Sequence, residues 1–310
     1  MNLKHFSYIT AISKEESISK AAQKLKVSQP SLSQTVKKIE EELGCMIFDR
    51  SASPMKITKA GSAVVKASDM MTRIYSEMQK EVADINKTGN QTLIVGASPF
   101  RSNYIMPGVI KEFNKKYPHV QIRIEEKIKN EMQRVSKEGA VDLAITTLPV
   151  DTKVFEYKKM MPEEIVLAIP QAYKINDYLT ENCEAVNESN RLFPVIDLAW
   201  VKDLDYIMLG EDQSIFKMFN DLCLEAGFEP KKPVVCRNIG TAYSMMEAGV
   251  GATVVPYSLI KYADFNKDKV CYYSIKQANY RREMVVIYRR GQYLSDAAKE
   301  MLKILTHFDQ

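Results

Sequence analysis

Pro30, Ser33, Gln34 and Lys37 follow one another at i, i+3, i+4 and i+7, and Gln29 and Ser31 flank the series at its N-terminal end. On a helix this spacing puts the four on one face. Amide and hydroxyl groups at the start of such a face, followed by one cation, suit an element laid in the major groove of double-stranded DNA. Glutamine and serine side chains can both donate to and accept from base edges. A solvated polar face is the alternative, since most helices have one. Downstream, Arg50 and Lys56 bracket the turn Ser51-Ala52-Ser53-Pro54. They could grip phosphates beside the groove, and Ser53 in the turn is counted with them.

A second set of polar groups lies in the distal part of the chain. Ser98, Phe100 and Arg101, then Thr146 and Thr147, then Ser214, and finally Asn238 and Thr241 fall where strands give way to helices. Open α/β sheets bind ligands at such strand ends, and helix N-termini there favour anions. For a single Ser or Thr, helix capping is the competing role; for Ser214 and Thr241 it is the expected one. Arg101 could pair with an anion or point to solvent.

No nucleophile elbow, phosphate-binding loop or dinucleotide fingerprint accompanies these groups; Gly249-Val250-Gly251 leads into a strand. Three separated histidines and five cysteines without a CxxC pair argue against a metal centre and for buried thiols. No catalytic residue, metal or cofactor is expected.

The elements that must hold the first set are legible. Ser17 caps a helix with Ile18, Ala21, Ala22 and Leu25 on its buried stripe, and Lys26-Val27-Ser28 forms a turn. Ser28 caps a second helix that buries Leu32, Val36, Ile39 and Leu43 and ends at Gly44. That is a helix-turn-helix. Ile47-Phe48 and Met55-Lys56-Ile57 make a hairpin after it, a wing, and Thr58 caps the next helix. From Ala60 to about Asn86 that long helix carries Val64, Ala67, Met71, Ile74 and Met78 at alternating spacings of three and four, a seam for a homodimer or homotetramer. Packing on its own domain is the alternative. Thr88-Gly89-Asn90 marks the boundary.

Beyond it, strands at Leu93–Val95, Val120–Ile124, Asp142–Ile145, Tyr206–Leu209, Val234–Cys236 and Ala252–Val255 alternate with helices. Two late strands, Val270–Ser274 and Met284–Tyr288, precede a C-terminal helix from Asp296 to Phe308. The pattern implies α/β units with a mostly parallel sheet. The expected domains are residues 1–58 for DNA, 59–88 for the linker helix and 91–310 for the effector.

Charge agrees with this division. Residues 1–60 hold ten Lys/Arg against six Asp/Glu, while the other 250 hold thirty-three of each. The whole excess of +4 therefore lies in the proximal fifth, as for a polyanion-binding head on a neutral body. No apolar run approaches a membrane span and the first residues lack a signal-peptide core, so a cytoplasmic protein without membrane contact is expected.

Ser17, Ala21-Ala22, Leu25, the run Val27 to Ser33, Ile39-Glu40, Leu43-Gly44, Phe48, Arg50, Thr58, Ala60 and Gly61 together resemble the LysR-type transcriptional regulators. The likeness continues more loosely through Pro107, Phe113, Tyr117-Pro118, Asp142–Ile145 and the stretch Met246–Pro256. It implies a winged helix-turn-helix, a linker helix and an effector domain like type 2 periplasmic binding proteins. The two α/β subdomains would be about 91–163 with 270–310, and about 164–269, joined by crossovers near Pro162–Ile169 and Asp264–Ser274. It also implies dimers or tetramers on interrupted palindromes, a small-molecule effector, here expected to be an anion, and RNA polymerase as a candidate partner. The wing turn is poorer in basic residues than in many members. The segment 171–202 is longer than usual and polar between Asn182 and Arg191, either a surface insertion or a flap near the cleft. A transporter's solute receptor and an enzyme on the same scaffold are the competing functions.

Overall fold

The computed structural model describes residues 1–52, 54–86, 92–185, 191–231, 234–263, 267–278 and 282–308. The chain separates into two compact units, Met1–Gly89 and Asn90–Gln310. The turn expected at Thr88-Gly89-Asn90 lies outside the described residues.

The first unit opens with α1, Leu3–Glu15, which is not among the expected elements; Asn2 caps it by accepting from the His5 N–H. It is followed by α2, Ile18–Leu25, and α3, Gln29–Leu43. The expected caps are in place: Ser17 accepts from the Lys20 N–H and Ser28 from the Ser31 N–H. Tyr8, Ile9 and Ile12 of α1 join Ala21, Ala22, Leu32, Val36 and Ile39 in one core. The wing is short: β1, Phe48–Asp49, pairs antiparallel with β2, Lys56–Ile57. Then α4 runs from Lys59 to Asn86, 28 residues or about 40 Å at ~1.5 Å each. Its first turn fits against the wing because residue 61 is glycine: a Cβ there would lie 1.9 Å from the Ile47 carbonyl oxygen. Gly44 ends α3 with φ +65°, a left-handed conformation that favours glycine.

The second unit begins with β3, Thr92–Ala97, the short helix α5, Pro99–Tyr104, and α6, Met106–Lys116. The segment 97–103 is thus mostly helical. Next come β4, Gln121–Glu126, α7, Lys129–Glu138, and β5, Leu143–Thr147. The chain continues through β6, Phe155–Glu163, β7, Ile165–Pro170, α8, Ile175–Asn182, and β8, Val195–Ile196. After β9, Ile207–Leu209, follow α9, Ser214–Glu225, β10, Val234–Cys236, and α10, Ile239–Glu247. The last elements are β11, Thr253–Pro256, α11, Tyr257–Tyr262, β12, Val270–Ile275, β13, Arg282–Arg289, and α12, Asp296–His307.

The strands form a five-stranded sheet in the order β4-β3-β5-β13-β6, a four-stranded sheet β11-β7-β12-β8 and the pair β10-β9. Within the first sheet β3 runs parallel to β4 and β5, while β13 enters antiparallel between β5 and β6. An isolated bridge between Tyr206 and Ala252 links β9 toward β11. The chain leaves the first sheet at Glu164, between β6 and β7, within the expected crossover. The second crossover is displaced. β12 pairs with β7 and β8, so it belongs to the second sheet, and the return falls after Ile275 rather than within 264–274. Assigning residues 270–275 to the first subdomain is corrected accordingly.

Residues 171–185 and 191–202 fold onto the second sheet. Leu179, Ile196, Leu198 and Val201 enter its core, and buried Asn176 donates to the Pro170 carbonyl while accepting from the Tyr273 hydroxyl. Residues 186–190 of its polar middle lie outside the described residues.

Candidate functional site

The face of α3 opposite its buried stripe is open. Gln29, Pro30, Ser31, Gln34 and Lys37 are exposed and Ser33 is half-buried. The turn before it depends on Lys26, which takes φ +54°. Its N–H donates to α2 carbonyls, so the backbone enters α3 at a fixed angle. Lys37 lies 3.8 Å from Glu41, one turn along, with both side chains in solvent. Such a screened pair leaves the ammonium available to another anion.

The wing differs from expectation at Arg50. Its Nη2 donates to Glu40 Oε2 at 2.8 Å. Glu40 is buried, and its other oxygen accepts the N–H groups of Ile47 (2.8 Å) and Phe48 (3.2 Å). Burying a carboxylate requires such partners. Arg50 therefore anchors the base of the wing, with its side chain still 35 % exposed. Lys56 is exposed on β2, but its register partner is Asp49. Hydrogen bonds from the Ser51 hydroxyl and N–H hold the Asp49 carboxyl below its ordinary pKa. Ser53 lies outside the described residues.

Along α4, Ala67, Met71, Ile74 and Met78 are exposed, Ile74 by 55 %. Val82 and Ile85 continue the apolar stripe. Val64 departs from the expected seam: it is half-buried and packs on the core of its own unit.

In the second unit, a cavity of about 110 Å³ gathers most of the distal candidates. Ser98, Phe100, Arg101, Thr146, Thr147, Ser214 and Asn238 line it. Thr241 does not: it is exposed on α10. The caps also differ from expectation. Gln213 precedes Ser214 as N-cap of α9, and Asn238 caps α10 by accepting from the Gly240 N–H at 2.7 Å. Ser98 starts α5 without capping it; its oxygen instead accepts from Arg101 at 3.3 Å.

The side chain of Thr146 is 2 % exposed, and its hydroxyl has no hydrogen-bond partner among the described residues. An unsatisfied buried hydroxyl costs free energy, and Thr146, which lines the cavity, carries one.

Sequence reasoning finds one cation here; the fold supplies four. Lys129, Arg237 and Arg282 line the cavity with Arg101. Among the described residues, no acidic side chain lines it. Behind it lies Glu163, buried, accepting from Arg282 Nε at 2.7 Å and from the Ser258 hydroxyl, with Arg101 at 3.7 Å. Burial pushes the Glu163 carboxyl up, but Arg282, Arg101 and the hydrogen bonds prevail and hold it below its ordinary pKa. Burial lowers the Arg101 guanidinium to about 10, against the opposing pull of Glu163 and with a further push from Arg282. The Lys129 ammonium is also lowered, first by burial and then by Arg282 and Arg101. It donates to the Leu148 carbonyl at 3.1 Å. These are positive groups crowded together with too little counter-charge. The separate segments that carry them leave no local pattern in the sequence to find them by.

Residues 3–62 match the family model described as bacterial regulatory helix-turn-helix protein, lysR family. Residues 86–309 match that of the LysR substrate binding domain. Among curated relatives, the HTH-type transcriptional regulator YcgK of Bacillus subtilis is 28% identical over 98% of this chain and 94% of its own length. The regulator AlsR of the same organism is 27% identical over 94% and 92%. A full-length OxyR variant from Pseudomonas aeruginosa shares the fold with a TM-score of 0.69 at 22% identity, covering 99% of this chain and 94% of that one. CbnR bound to its target DNA has a TM-score of 0.60 at 17% identity, covering 98% of this chain and all of that one.

Proposed function

The chain belongs to the LysR family of bacterial regulatory helix-turn-helix proteins, and we propose that its effector is a small anion, held in the cavity of the second unit. It is a DNA-binding transcriptional regulator with an effector-binding domain. The observation that carries the anion is the cavity wall: Arg101, Lys129, Arg237 and Arg282 line it, no acidic side chain among the described residues does, Glu163 behind it is the one carboxylate against Arg101 and Arg282 among those residues, and the Thr146 hydroxyl has no hydrogen-bond partner among them. Positive groups in a partly desolvated site bind opposite charge more strongly than in water. Ser98, Thr146, Thr147 and Ser214 supply hydrogen bonds to it.

The DNA-reading surface is the exposed face of α3, with Gln29, Ser33 and Gln34 toward base edges and Ser28, Ser31 and Lys37 toward phosphate. The exposed stripe of α4 joins two copies. The expected domains, 1–58, 59–88 and 91–310, follow these roles. The operator is an interrupted palindrome and RNA polymerase the partner downstream. The CbnR relative was solved with its target DNA, which supports duplex DNA as the ligand. No described helix is long and apolar enough to cross a membrane, which agrees with a cytoplasmic site of action. Binding of an anion between the sheets would alter the passages at Glu164 and after Ile275, and so the state of the whole unit.

The test is DNA protection with and without carboxylate ligands that raise the protein's melting temperature. In the double variant Ser98→Val/Thr147→Val, the ligand response should vanish while ligand-free DNA binding survives. Stabilisation by neutral or cationic ligands alone would sink the anion.

A further inference from the structure

We infer that the effector carries two separated anionic groups, a dicarboxylate being the simplest case, and that Arg237 selects for the second. The inference rests on the anion reading above and extends it to a ligand class.

The argument begins from where the cations stand. Arg101 lies on α5, Lys129 at the start of α7 and Arg282 at the start of β13. These three influence one another: Lys129 feels both arginines, and both arginines share Glu163. They form one positive cluster in the cavity that Thr146 also lines. Arg237 belongs to a different part of the wall, just after β10 and before α10. Gln213, which precedes α9, donates to the Arg237 carbonyl at 2.8 Å and so ties the starts of α9 and α10 together. Both helices exceed eight residues, and their first N–H groups add partial positive charge on that side.

Four cations face the cavity and Glu163 answers one of them, which leaves three positive charges without a full internal counter-charge. A single carboxylate can meet that cluster, but it leaves Arg237 uncompensated on the other wall. A molecule with an anionic group at each end meets both. Arg237 is exposed and makes no ion pair among the described residues, so its guanidinium carries no structural duty there that would explain its place at the wall. Planar guanidinium and carboxylate match in geometry, which gives such a contact selectivity as well as strength.

The experiment is calorimetry on the full chain with matched pairs: succinate against butyrate, glutarate against valerate, and fumarate against crotonate. The dicarboxylate of at least one pair should bind about tenfold or more tightly than its partner, the worth of one charge-assisted hydrogen bond. Arg237→Ala should erase that ratio by lowering dicarboxylate affinity far more than monocarboxylate affinity, and Arg237→Lys should restore part of it. Its exposed position keeps folding intact, checked by an unchanged melting temperature without ligand. If no dicarboxylate exceeds its monocarboxylate partner, or if Arg237→Ala lowers both alike, the inference is overturned. Monocarboxylates that still bind would leave the anion reading standing, whereas binding by neutral or cationic ligands alone would remove both.

Discussion

Glu163 and Arg282 face each other as register partners in the antiparallel pair β6–β13, and the guanidinium meets Glu163 Oε2 through Nε at 2.7 Å and Nη2 at 2.5 Å. Glu163 closes β6, directly before the chain crosses to the second sheet, and Arg282 opens β13, directly after it has returned. One ion pair therefore fastens both passages. Its other side reaches the cavity through Arg101 and Arg282. Ser258 on α11 donates to the same carboxylate, so elements that pack with the second sheet also hold it.

Removing that carboxylate should be costly. Glu163→Gln leaves the buried guanidinium of Arg101 and the half-buried one of Arg282 without a counter-charge, and breaking a buried pair on one side costs about 3–5 kcal/mol. Urea unfolding of the variant should show the loss. The pH dependence has a definite sign. Because the folded carboxyl is held below its ordinary value of 4.5, the contribution is complete above that value and disappears as pH falls through the folded pKa. The stability gap between the wild type and Glu163→Gln should therefore be widest near neutrality and narrow in acid. A gap constant from about pH 7 to about pH 3 would rule out this role.

Two substitutions on α3 separate reading from holding. Gln34 is exposed near the start of the open face, so Gln34→Ala should cost about 1–3 kcal/mol on the specific operator and little on random DNA. Lys37→Ala should weaken all sequences alike and reduce the slope of log affinity against log salt by about one. Titrations at several salt concentrations distinguish the two. Equal losses of Gln34→Ala on both DNAs would mean that another surface reads the bases.

The α4 stripe gives a third expectation. Met71 and Ile74 are 50 % and 55 % exposed in the single chain, in a row with Met78, Val82 and Ile85. Rows of apolar side chains at this spacing are covered by a second helix. Met71→Lys with Ile74→Lys should shift sedimentation toward the monomer and abolish tight operator binding, while both units keep their melting transitions. Oligomers that survive the double variant would place the interface elsewhere.

How much the sequence discloses depends on the range of each signal. The Ser17 and Ser28 caps, the turn at Lys26 and the buried stripes of α2 and α3 are set by residues within a few positions of one another, and they are where the pattern puts them except for Leu43, expected in the core but 41 % exposed at the last turn of α3. Helix α1 carries a signal of the same kind, Leu3, Phe6, Ile9 and Ile12 at three-residue steps beside Tyr8, although it is not among the expected elements. Strand β12 falls to the wrong sheet because a run buried or half-buried along its whole length does not reveal its neighbours; only pairing with β7 and β8 does. The cavity shows the same limit. Ser98, Thr146 and Thr147 are found from their place at strand ends, a local feature. Lys129, Arg237 and Arg282 escape because distant segments meet only in the fold: β13 is inserted between β5 and β6 from far along the chain, which nothing near Arg282 announces. Arg50 and Glu40 are each visible, but their pairing is not, so the arginine reads as a phosphate ligand.

Thr146→Val tests the cavity without disturbing its shape. Valine has nearly the volume of threonine and replaces the hydroxyl by a methyl group. In most buried sites that exchange is destabilising, because a hydrogen bond is lost. Here the hydroxyl has no partner among the described residues, so the cost of burying it unpaired, about 1–3 kcal/mol, is already present in the ligand-free protein. The variant should therefore be as stable as the wild type or more stable when no ligand is bound. Bound anion reverses the balance: the wild-type hydroxyl gains a charged acceptor, and the valine gains nothing. Affinity should fall by about 1.5–3 kcal/mol, the worth of a hydrogen bond to a charged group. Melting curves with and without an anionic ligand read both effects in one experiment. The ligand-induced rise should shrink while the ligand-free melting temperature holds or increases. A variant that loses stability without ligand and keeps its full ligand-induced rise would show that Thr146 serves the fold and does not face the effector.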